Sequence, residues 1–171
     1  FAYRDLYGPS RDMLVKALIV AGGVGEVIQK RATLAGAEGG CQAECGAAAA
    51  MGSAALVYLE GGSPEASAHA AVLTIKSLMG LVCDPVAGLV EVPCIKRNGT
   101  LVSLASLCAD MALAGIRSVI PPDEVIDAMR RVGRALPESL RETSKGGLAA
   151  TPKGRELEKK IFSEVPPMAE I

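Results

Sequence analysis

A chain of 171 residues, half of them hydrophobic, can bury one substantial core, and its length predicts a single domain over residues 1–171. Its 18 basic and 19 acidic residues balance to a net charge of −1 with no basic cluster, which argues against a nucleic-acid partner. The most apolar stretches, Leu14 to Gly25, Ala47 to Leu59 and Leu101 to Ala114, are interrupted by Lys16, by glycines or by Asp110, so none supplies the run of about 18 apolar residues that a membrane span requires.

Aromatic residues make up only 3% of the chain and Trp is absent, whereas Ala and Gly abound. Small side chains let helix backbones approach closely, so a compact, Ala/Gly-rich all-α fold is expected rather than a sheet sandwich. Arg4, Asp5, Arg11 and Asp12 surround the opening and do not fit a signal peptide, and a start at Phe1 reads as a fragment or a processed chain. Five cysteines, an odd number without a secretory signal, point to a reducing, cytoplasmic compartment with thiols kept for metal.

In chain order, Asp12 to Lys30 reads as a helix with Leu14, Leu18, Val24, Val27 and Ile28 at helical spacing. Gly22, Gly23 and Gly25 weaken it but permit close packing; they lack the third glycine of a dinucleotide fingerprint and follow no strand. After a Gly36 to Gly40 turn, Cys41 opens a second helix to about Tyr58, ended by Glu60-Gly61-Gly62. Ser63-Pro64-Glu65 then supplies a cap, a first-turn proline and a first-turn acid for a third helix to Met79, stopped by Gly80.

Pro85, Gly88 and Pro93 make residues 81–98 a long loop, and such a loop inside a compact domain is usually functional. Thr100 to Ala114 is expected as a helix stopped by Gly115, and Pro122-Asp123-Glu124 starts another to about Leu136. Thr151-Pro152 opens a last, exposed helix whose Glu156, Glu158, Lys159 and Lys160 form a solvated face, and residues 163–171 are expected to be a flexible tail.

Cys41, Cys83 and Cys94 each sit where a Gly- or Pro-bearing turn meets a more regular segment, which presents sulfur from irregular backbone. Their intervals match no structural zinc pattern and no ferredoxin-like run of cysteines. Gly39 and Gly40 free the backbone to approach a bulky group, and Cys41 at a helix start gains from the positive dipole end, where free N–H groups also suit a substrate carboxylate. The plain alternative is a capping turn with a buried cysteine.

The words around these cysteines are more specific. Ala37-Glu38-Gly39-Gly40-Cys41-Gln42-Ala43-Glu44, the run from Gly80 through Cys83-Asp84-Pro85 to Val92-Pro93-Cys94, and Lys96-Arg97-Asn98 closely resemble the iron-sulfur-dependent bacterial L-serine dehydratases, in their alpha chain or alpha domain. The likeness extends from about Asp12 to Asn98 and, more weakly, to Arg141 through Leu148. It implies a 4Fe-4S cluster held by Cys41, Cys83 and Cys94, with the fourth iron open to substrate. It implies a lyase that eliminates water from L-serine to give pyruvate and ammonia, with that iron as Lewis acid and without pyridoxal phosphate. It also implies a beta chain or beta domain as partner and an oligomeric enzyme, of which this chain is a piece of the alpha part.

Beside the ligands, Asp84 is read as fixing the loop, tuning the cluster or orienting a substrate ammonium, while Glu38, Gly39, Gly40, Gln42, Arg97 and Asn98 flank the cysteines as their surroundings. Lys145 is read either as a contact to a substrate anion or as a loop charge. Cys45, one turn after Cys41, is geometrically able to be a fourth ligand, although the family pattern has none there. Cys108 lies at helical spacing with Leu104, Leu107 and Met111 and reads as core, and His69 as a packed or partly exposed imidazole.

No residue of the chain reads as the base, which is expected on the upstream segment or on the beta part. The family's C-terminal cysteine, which in some members folds back onto the open iron, has no counterpart in Met168-Ala169-Glu170-Ile171, so tail inhibition is not expected. Two further readings stand beside this one: a redox or structural iron-sulfur protein with Cys45 as fourth thiolate, and a zinc-stabilised helical interaction domain. A plain helical subunit with incidental thiols fits the turn-borne cysteines least.

Overall fold

The computed structural model describes residues 1–164. The described residues form an all-α fold of eight helices: α1 (Ala2–Tyr7), α2 (Arg11–Arg31), α3 (Gly36–Gly39), α4 (Cys41–Leu59), α5 (Pro64–Ser77), α6 (Cys94–Leu113), α7 (Pro122–Ala135) and α8 (Pro152–Glu164). Met168 to Ile171 and most of the expected tail lie outside the described residues, and Ser163 belongs to α8.

Helix α4 is the axis of the domain and packs against α2, α3, α5, α6 and α7. It suits this place because its buried side is built from small residues, Ala43, Gly46, Ala47, Ala50, Ser53 and Ala54, which let neighbours come close on several sides. On α2, a side chain at Gly25 would strike Met51 Sδ at 2.9 Å, so here glycine does serve close packing. One core joins Ile28 of α2, Ala47 and Ala50 of α4, Val72 and Ile75 of α5 and Met129 of α7. A second sets Val57 and Leu73 against Cys108 and Ala112 of α6, which places Cys108 in core as its spacing predicts.

The capping signals hold. Ser63 accepts from the Ala66 amide at 3.1 Å with Pro64 at the first helical position, and Ser10 accepts from Met13 in the same way. The third helix stops at Ser77, two residues short of expectation, and Gly80 turns in the left-handed region at φ 86°.

The larger difference is at α6, which begins at Cys94 rather than Thr100, so the irregular loop covers residues 81–93 instead of 81–98. Asn98-Gly99 looks like a stop, yet a mid-helix glycine costs only about 1 kcal/mol. Cys94, Arg97, Leu101 and Cys108 lie on one inward stripe whose burial outweighs that cost. Two short helices, α1 and α3, were not expected, α3 being a single turn within the Gly36 to Gly40 segment.

Two irregular segments, 81–93 and 136–151, meet at the end of the bundle where α4 and α6 start. Cys83 donates its amide to Leu140 O at 2.9 Å and accepts from the Glu142 amide at 2.8 Å, a single parallel bridge with Arg141. Helix α8 packs beneath this end against the turns Val86–Gly88 and Gly147–Ala150.

Candidate metal centre

Cys41 is the first residue of α4, Cys83 sits in the bridged loop and Cys94 is the first residue of α6, so three separate segments deliver one buried thiol each. All five cysteines are free. The Cys41 and Cys83 sulfurs and a Glu44 carboxylate oxygen lie within 4.8 Å of one another. Cys94 shares the field of Cys41, whose negative charge, after burial, helps hold the Cys94 thiol above its ordinary pKa.

Arg97, one turn into α6 from Cys94, gathers the pieces. Its Nη1 donates to Cys41 Sγ at 3.3 Å and to Val82 O at 2.8 Å, and its Nη2 meets Asp84 Oδ1 at 3.2 Å. The other Asp84 oxygen accepts from the Leu148 amide at 2.8 Å. This chain of contacts joins α4, the 81–93 loop, α6 and the 136–151 segment through Arg97 and one buried carboxylate, that of Asp84.

The thiols titrate as a coupled group. A hydrogen bond from Cys45, then one from Arg97, holds the Cys41 pKa down at about 6 against the opposing effect of burial. Cys45, by donating that bond, is itself pushed far upward, and Cys83 is raised by burial first and then by the Cys41 charge. One thiolate suppresses ionisation of the others in the absence of a cation, so a metal that binds them all must release protons.

Glycines clear the space. Gly40 has φ 74° and ψ −179°, a region open essentially to glycine alone, and a side chain there would strike Leu81 O at 2.8 Å. A side chain at Gly36 would reach Glu44 Oε2 at 2.7 Å, Glu142 Oε2 at 3.3 Å and Cys83 Sγ at 3.4 Å. A side chain at Gly39 would instead strike Ala43 Cβ at 2.7 Å, and it is Gly133 of α7 whose lack of a side chain lets that helix approach Gly39, since a Cβ there would lie 2.8 Å from the Gly39 Cα. Ala87, Glu142 and Ser144 also take positive φ, and Ser144 binds its loop to the other by accepting from the Gly88 amide and donating to Pro85 O.

The remaining residues singled out in the sequence are spread more widely. Gln42 is buried with its amide engaged by Met129 O and the Gly80 amide, so it anchors the start of α4 to α7 and to the loop. The Gln42 and Ala43 amides are taken by Leu81 O and Gly40 O, which leaves these two donors unavailable to an anion. Glu38 is exposed and borders a small cavity with Arg130 and Arg134. Asn98 is exposed at the wall of a groove of about 720 Å³ between α2, α4 and α6, which Glu44 and Cys45 also line. Lys145 pairs with Glu138 at 3.0 Å on the surface. His69 accepts from the Ser118 amide at 3.3 Å and has Glu65 at 3.9 Å, a carboxylate one turn back that the sequence reading overlooked.

Glu44 and Glu142 are the site residues the sequence reading missed. Glu44 was legible in principle, because three residues after Cys41 it shares that face of α4. Glu142 arrives only through the bridge to Cys83 and has no local signal.

The donor set, the buried Cys41 and Cys83 thiols with a guanidinium on one sulfur and the Glu44 carboxylate beside them, suits iron or another thiophilic metal. A family model described as serine dehydratase alpha chain matches residues 1–149. The probable L-serine dehydratase, alpha chain, of Bacillus subtilis (strain 168) is 57% identical over 162 residues, covering 95% of this chain and 54% of that protein. The L-serine dehydratase, alpha chain, of Peptoniphilus asaccharolyticus is 48% identical over 163 residues, covering 95% and 56%. L-serine dehydratase 1 of Escherichia coli (strain K12) is 42% identical over 151 residues, covering 86% of this chain and 33% of its own length. The chain thus spans about half the length of the two alpha chains compared here, and over that span it belongs to the serine dehydratase alpha chain family.

Proposed function

We propose that this chain is the cluster-bearing alpha part of an iron-sulfur L-serine ammonia-lyase that converts L-serine to pyruvate and ammonia in the cytoplasm. Cys41, Cys83 and Cys94 are the proposed thiolate ligands of a 4Fe-4S cluster. The observation that carries the reading is the meeting of the buried Cys41 and Cys83 sulfurs with a Glu44 carboxylate within 4.8 Å, with Arg97, one turn after the buried Cys94, hydrogen-bonded to Cys41 Sγ at 3.3 Å. A cluster accepts thiolates from distant segments provided the turns aim them inward. When bound, it supplies an iron without a thiolate as Lewis acid to the substrate hydroxyl.

The chain's own residues prepare that place. Arg97 offsets the negative charge that three thiolates gather, and Asp84 fixes Arg97 while tying in the Leu148 backbone. Gly36 keeps the space between Cys83 and the two carboxylates open. The groove along α4 gives a small amino acid a way in, past Asn98 and Cys45. Among the described helices none is long and apolar enough to cross a membrane.

No residue at the centre acts as an obvious base toward the alpha proton. His69 is occupied by Ser118 and Glu65, and Lys145 by Glu138. A positioned base contributes a factor of about a hundred to ten thousand, and here it is assigned to the beta part or to another segment of the enzyme. The cluster-loaded chain is therefore expected to form little pyruvate from L-serine under anaerobic conditions, and to gain at least about a hundredfold when the beta part is added. Full turnover by the chain alone contradicts this division of labour and returns attention to His69 and Lys145.

A second reading has one observation in its favour. Cys45 stands one turn after Cys41 on the same face of α4 and is half-buried, so as a thiolate it would supply the fourth sulfur of a redox cluster. In that case Cys45→Ala loses the cluster, whereas the three-cysteine reading expects iron to be retained.

A further inference from the structure

We propose that Glu44 is the fourth, displaceable ligand of the cluster, holding the iron that no cysteine holds until substrate takes its place. The inference rests on the proposed function above and deepens it. Glu44 follows Cys41 by three residues on α4, and its carboxylate oxygen lies within 4.8 Å of both the Cys41 and Cys83 sulfurs.

This closeness to two of the three thiols separates Glu44 from Glu142. Glu142 approaches Cys83 from the 136–151 segment and is not in the close group that Cys41, Glu44 and Cys83 form. Nothing competes for Glu44, since no ion pair among the described residues uses it. Gly36 stands opposite, where any side chain would strike Glu44 Oε2 at 2.7 Å.

Carboxylate is a harder ligand than thiolate, held less firmly by iron in a sulfur cluster and replaceable by the oxygens of a small hydroxy acid. Glu44 also lines the groove of about 720 Å³, so a substrate moving along α4 reaches this carboxylate at the edge of the sulfurs.

The test uses the anaerobically purified holoenzyme, chemically reduced so that the cluster is paramagnetic, in water enriched in the magnetic isotope of oxygen. The wild-type resonance is expected to show no broadening, because carboxylate excludes solvent from the iron. Glu44→Ala is expected to show broadening with iron and sulfide content unchanged. Alanine suits an exposed helical position, and the wild-type spectrum can overturn the proposal even where the variant fails to fold. Broadening in the wild type places solvent on the iron already and overturns the proposal. Unbroadened spectra in both proteins overturn it as well, since another group, Cys45 first, then holds that corner. A wild-type holoenzyme without iron and sulfide defeats the underlying reading instead, which keeps the two failures distinct.

Discussion

Replacing Cys83 with Ser is expected to abolish cluster retention and reduce lyase activity to background, while Cys108→Ser keeps both. Cys83 is buried in the bridged loop with its sulfur against Cys41 and Glu44, and a serine hydroxyl is a far poorer ligand to iron than thiolate. Cys108 is equally buried but lies among Val57, Leu73 and Ala112, where it packs as a small hydrophobe. A hydroxyl there without a partner costs about 1 to 3 kcal/mol, so that variant loses some stability rather than its metal. Iron and sulfide analysis of both proteins, purified side by side without oxygen, checks the sorting. Equal loss of iron from the two variants contradicts it.

Removing the Asp84 carboxylate is expected to be nearly as damaging by another route. Asp84→Ala strands Arg97, only 16% exposed, as a charge without its carboxylate, and frees the Leu148 amide. Breaking a buried pair in this way typically costs about 3 to 5 kcal/mol. In a domain of this size that corresponds to a fall in melting temperature on the order of 10 °C. The loops 81–93 and 136–151 lose one of their ties, so cluster affinity is expected to fall at least about tenfold to a hundredfold. Thermal unfolding of the apo and loaded forms measures both effects. An unchanged melting temperature, with normal cluster content, contradicts the role given to this carboxylate.

What was legible in the sequence follows the range of each physical signal. Caps act over one turn, so Ser63-Pro64-Glu65 and Pro122 marked helix starts that the fold keeps. The start of α6 was missed because Asn98-Gly99 carries a local stop signal, whereas the stripe of Cys94, Arg97 and Leu101 gains its weight only when α4 is packed against it. Cys41, Cys83 and Cys94 stood out through the turns and words around them. The company they keep did not, since Arg97 meets Cys41 and Glu142 meets Cys83 only across the fold. Glycine roles divide in the same way. Gly40 could be assigned to close backbone approach at the site, but nothing local showed that Gly39 faces Gly133 of α7 or that Gly36 clears the space beside Glu44.

The most direct test of the central claim is Mössbauer spectroscopy on the anaerobically purified enzyme, with its iron enriched, before and after addition of L-serine. About four irons with matching sulfide are expected per alpha part. Roughly a quarter of the iron signal is expected to shift when L-serine is added, because in the proposed function one iron lacks a thiolate and takes the substrate, while the irons assigned to Cys41, Cys83 and Cys94 keep their signature. Zinc in place of iron, or an iron signal that L-serine leaves wholly unchanged, would contradict the account.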